Sequence, residues 1–77
     1  MTSLHSVEYR RFLQRLREAR KVAKLTQVQV AAILRLPQSW VSKSESGERR
    51  VDVVELKRLA TLYKKSMEWF VKSNVGV

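Results

Sequence analysis

Apolar residues recur at steps of three and four along nearly the whole chain, and almost nothing interrupts them. Between Ser6 and Val71 stand one proline, Pro37, and one glycine, Gly47; the other glycine is Gly76. A chain that repeats at helical spacing and offers so few turn residues has little means of building hairpins. The pattern therefore predicts an all-α fold, a compact bundle of about five short helices. A length of 77 residues fits a single domain over 1–77, with residues 1–5 as an N-terminal tail.

The helix ends are marked by capping residues. Ser6 suits the start of a first helix, with Glu8 in the positive first turn. Tyr9, Phe12, Leu13, Leu16, Ala19 and Ala23 then form one inward stripe, and Arg10, Arg11, Arg15, Arg17 and Lys21 lie mostly off it, toward solvent. Thr26 and Gln29 form a capping box at the start of a second helix, whose inward face is Val30, Ala31 and Leu34. Arg35-Leu36 makes a tight turn. Pro37 fits the first position of a third helix, where a missing N–H costs nothing, and Gly47 fits its left-handed end. Val41 belongs to the core. Asp52 and Glu55 form a second capping box, followed by a stripe of Val53, Leu56, Leu59, Ala60 and Tyr63. Lys64 and Lys65 sit at the negative end of that helix, and Ser66 caps a last short helix.

Composition removes several classes of function. There is no cysteine, and the one histidine, His5, falls in the expected N-terminal tail. Thiol chemistry, zinc binding and histidine-assisted catalysis are thereby disfavoured. The carboxylates fall at helix ends or on solvated faces and the serines have no histidine partner, so no enzyme, metal or cofactor is implied. No apolar run reaches membrane-spanning length and no signal peptide is readable, which points to the cytoplasm. Sixteen lysines and arginines against seven acids give a net charge of +9. That bias suits a polyanionic partner, above all nucleic acid; the plainer alternative is a cationic surface kept for solubility.

The informative stretch is LTQVQVAAILRLPQSWVSKSESGERRVDVVELKRL, from Leu25 to Leu59. A capped helix, a tight turn and a second short helix, over about 26–46, have the layout of a helix-turn-helix. The combination LTQ, VA, PQS, VSK and GERR resembles the Cro/C1-type (XRE) family of phage repressors and bacterial regulators, from about Leu13 to Phe70. The resemblance implies a lambda-repressor-like domain whose third helix, 37–46, is the recognition helix in the major groove. It further implies an ion pair between Arg20 and Glu45 that ties the first helix to the third. Three positions depart from the family: Lys24 and Arg35 stand where glycine is common, and Ser44 where an isoleucine, leucine or tyrosine is usual. A serine at that place leaves a small gap or room for a water.

Candidate DNA contacts follow. Gln27 can meet a phosphate at the start of the second helix, or be an exposed helix-start residue. Gln38 can pair with adenine, Lys43 can reach guanine or a phosphate, and Ser39 and Ser42 suit either base edges or phosphates. The alternative for all four is a solvated helix face. Trp40 is expected to be partly buried, with its indole N–H near a phosphate or simply packed. Arg49 and Arg50 can grip the backbone, or form surface pairs with Glu48 or Glu55. Met67, Trp69, Phe70 and Val71 are expected to supply a dimer contact, or else to close the core. The reading is a sequence-specific, homodimeric regulator of transcription, a repressor, with double-stranded DNA as partner. The alternative is an antitoxin-like or adaptor module that binds another protein.

Overall fold

A computed structural model describes residues 6–72 of the chain. Within them the helices are α1 (Val7–Val22), α2 (Gln27–Leu34), α3 (Gln38–Ser46), α4 (Val53–Tyr63) and α5 (Met67–Val71), with no strand. The expected tail at 1–5, with His5, and Gly76 lie outside the described residues.

Every helix start is held by local chemistry. Ser6 Oγ accepts from the Tyr9 N–H and Ser66 Oγ from the Trp69 N–H. Thr26 with Gln29, and Asp52 with Glu55, close the two reciprocal boxes that their spacing predicts. Pro37 caps α3 from just outside it, in an extended conformation (φ −63°, ψ 150°), and Gln38 is the first helical residue. The Pro37 carbonyl accepts from the Trp40 N–H at 3.0 Å, so the ring precedes the helix rather than starting it. Gly47 takes the left-handed conformation at φ 88°, as a helix-ending glycine should.

The core draws on all five helices: Phe12, Leu13, Leu16 and Ala19; Val30 and Ala31; Val41; Leu56, Leu59, Ala60 and Tyr63; and Phe70. α1 packs against α3 and α5, α2 against α3, and α4 against α5. Two expectations need correction. Val53 is 67% exposed, because the core begins one turn into α4, at Leu56. Arg15 and Arg17 are half-buried rather than solvated. Arg15 donates to the carbonyls of Trp69 (2.7 Å) and Lys72 (2.8 Å), fastening the end of α5 to α1. Among the described residues no helix is long and apolar enough to cross a membrane.

Candidate nucleic-acid interface

α3 has two contrasting sides. Val41, Ser44 and Glu45 are buried, whereas Gln38, Ser39 and Lys43 are exposed and Ser42 is half-buried. The exposed set carries hydrogen-bonding side chains of three lengths, the property a groove reader needs.

The buried side is anchored through one carboxylate. Arg20 reaches Glu45 twice, Nε to Oε2 at 2.7 Å and Nη2 to Oε1 at 3.2 Å. The two side chains are only 13% and 6% exposed, so losing either would strand a desolvated charge at a cost of about 3–5 kcal/mol. The hydrogen bond to Glu45 raises the pKa of Arg20 above its ordinary value. Gln27 donates an amide N–H to the same carboxylate at 3.0 Å. Arg17 donates to the Glu45 carbonyl at 2.9 Å, and Arg20 to the Leu25 carbonyl at 3.0 Å. The start of α2 and the end of α3 are thus fixed to α1 by charge-assisted bonds. Gln27 commits one amide N–H to this network rather than holding its side chain wholly toward solvent.

The loop after α3 forms a second anchor. The Arg49 guanidinium donates to both Glu55 oxygens, at 3.1 and 2.9 Å, and to Ser44 Oγ at 3.1 Å. It also lies 4.7 Å from the centre of the Trp40 ring, which is half-buried. The buried Ser44 hydroxyl thus accepts from the arginine. That hydrogen bond from Arg49 holds the Glu55 carboxyl below the usual carboxylate range. Of the alternatives for Arg49, its place is the ion pair with Glu55. Arg50 stacks 4.4 Å above Tyr9, whose hydroxyl accepts from the Val51 N–H.

Two helix ends, one just before the helix-turn-helix and one inside its turn, carry left-handed backbone. Lys24 (φ 60°) and Arg35 (φ 58°) both adopt the left-handed conformation that favours glycine, as does Lys64 (φ 58°) after α4. Each is followed by a residue whose N–H reaches back to close the helix: Leu25 to Arg20, Leu36 to Ala31 and Lys65 to Ala60. Arg58 adds a bond to the Leu34 carbonyl at 3.2 Å.

A family profile described as a helix-turn-helix domain matches residues 8–66, most of the chain. The chain belongs to the helix-turn-helix domain family. No curated protein and no solved structure matches it significantly. The family supports DNA as the partner, in keeping with the Cro/C1-type resemblance. Within this helix-turn-helix domain, α2 and α3 are the motif, and α3 carries the exposed polar row.

The residues expected to pair two copies are mostly occupied. Phe70 is 1% exposed and meets Phe12 edge-on at 6.4 Å, so it closes the core. Trp69 is half-buried, with the Arg15 guanidinium 5.8 Å and the Lys65 ammonium 4.7 Å from its ring. Met67 is half-buried, which leaves Val71, 64% exposed, as the large apolar residue that α5 offers to solvent. Sequence reasoning missed the structural use of Arg15, Arg17 and Arg58. Their spacing places them off the core stripe, and nothing local reveals a carbonyl within reach of a long side chain.

Proposed function

We propose that this helix-turn-helix domain is a sequence-specific transcriptional regulator that works as a homodimer and reads the major groove with α3. It represses where its site overlaps a promoter. The observation carrying this is the exposed row of Gln38, Ser39 and Lys43 on a short helix whose other side is pinned to α1 through Glu45. A reading helix must be held rigidly, since misplacing hydrogen-bonding groups forfeits the discrimination of about 1–3 kcal/mol that each good base contact supplies. Gln38 contacts a base, Ser39 and Ser42 contact base edges or flanking phosphates, and Lys43 contacts guanine or phosphate. Gln27 and Arg50 belong to the phosphate-facing periphery, and Trp40 lies at the edge of the groove. Arg49 acts from behind, holding Trp40 and Ser44.

One short helix reads only a few base pairs. A two-fold pair reads twice as many, with its recognition helices about 34 Å apart in successive major grooves. The net charge of +9 draws the pair to DNA before any base is read. Selection of bound duplexes from a random pool, at two salt concentrations, tests this. An enriched inverted repeat with half-sites one turn apart is expected, and Gln38→Ala with Ser39→Ala should abolish the enrichment while sparing salt-sensitive nonspecific binding. Enrichment of no sequence, with binding that disappears as salt rises, would refute it and favour a protein-binding module.

A further inference from the structure

An apolar groove of roughly 380 Å³ runs between the start of α1, the loop before α4, and the end of α5. Tyr9, Phe12, Val51, Val53, Leu56 and Val71 line it, and none of the proposed base contacts on α3 does. Val53 and Val54 are each 67% exposed, Val71 64% and Val7 51%. Valines gain nothing from water, and those at 53 and 71 come together from two helices around one depression.

We propose that this face is where a second copy of the chain docks. The inference rests on the dimeric reading above and gives that dimer its interface. Two observations single out a second copy. First, charge: the groove lining carries two carboxylates, Glu8 and Asp52, against one arginine, Arg50, on a chain of net charge +9. Two copies of so basic a protein repel, and they repel least where each presents its acids. Second, position: the loop that borders the groove, residues 47–52, leads directly out of α3. A two-fold contact here brings the C-terminal ends of two recognition helices toward the symmetry axis and leaves Gln38 on the outer side. The domain measures 35 × 29 × 20 Å, so copies docked side by side lie within the range of one turn of DNA, about 34 Å.

The test is the oligomeric state of the full chain by sedimentation, alone and on duplexes carrying one or two half-sites. Val53→Lys and Val71→Lys, confirmed as folded by circular dichroism, are expected to weaken self-association by at least about tenfold and to erase the preference for two half-sites. Trp69→Ala should do neither. The chain has no cysteine, so a single Val53→Cys can be linked by a short bismaleimide without competing thiols, and this keeps the test decisive if a lysine variant fails to fold. Cross-linked dimer is expected from Val53→Cys and not from Val22→Cys, which is similarly exposed but lies elsewhere. A wild-type dimer that persists in the lysine variants, and no linkage through Val53→Cys, would overturn this interface while leaving the dimeric reader intact. A wild-type chain that stays monomeric even on two half-sites would overturn both. The groove would then serve residues 73–77 or another protein.

Discussion

Tyr63 shows how much a single buried residue depends on its surroundings. Burial pushes its hydroxyl up to about 12, the nearby Glu45 carboxylate adds to that, and Arg20 opposes it. The unfolded chain releases the same proton near pH 10. The folded state therefore holds the proton more tightly. The stability gained is fully present below about pH 10 and is lost as pH rises toward the folded value. Tyr63→Phe should flatten the fall in stability between pH 10 and 12, by on the order of 2 kcal/mol relative to wild type in urea titrations. Lysines titrate in both proteins, so the difference isolates the phenol; an unchanged alkaline slope would refute the assignment. The same neighbourhood shows what is legible residue by residue. The Arg20–Glu45 pair follows from resemblance, but Gln27 and Arg17 joining it does not, because neither spacing nor residue type reveals a third and fourth partner on other elements. Ser44 looks like a defect in sequence. In three dimensions it is the acceptor that lets Arg49 lie across Trp40.

At the scale of the element, the starts of the helices were the most readable parts of the chain. A cap is a bond between residues three apart, so Ser6, Thr26, Asp52 and Ser66 could be assigned without knowing what lay around them. The stripe of α1 was readable for the same reason. Val53 was not, since the point at which α4 meets the core is set by where α1 ends up. The helix ends hold a different lesson. Lys24, Arg35 and Lys64 each occupy a conformation in which a Cβ is unwelcome, partly offset by placing a cation at the negative end of a helix. Lys64 lies outside the helix-turn-helix and gives the cleanest measure. Lys64→Gly should raise stability by about 0.5–1 kcal/mol in urea unfolding, without altering DNA binding. A destabilised variant would mean that the charge at this end outweighs the backbone strain.

The whole molecule is a helix-turn-helix whose α3 is held by two polar anchors over a core that all five helices share. α1 and α4 each supply a third of the buried core residues, and α1 adds, through Arg17 and Arg20, the fixings of α3. Arg15 extends that reach to the far end. The five residues of α5 are too few to persist as a helix alone, yet they deliver Phe70 to the centre. Besides that ring and the packing around it, one guanidinium grips two carbonyls at their end. α5 is in effect a stopper with a catch. Hydrogen exchange of the full chain should find the amides of α5 opening before those of α1, and Arg15→Ala should widen the gap; simultaneous opening would show a single cooperative unit. Each time the stopper lifts, the domain is briefly a bottle uncorked, with Phe12 at its neck and open to whatever greasy surface passes by.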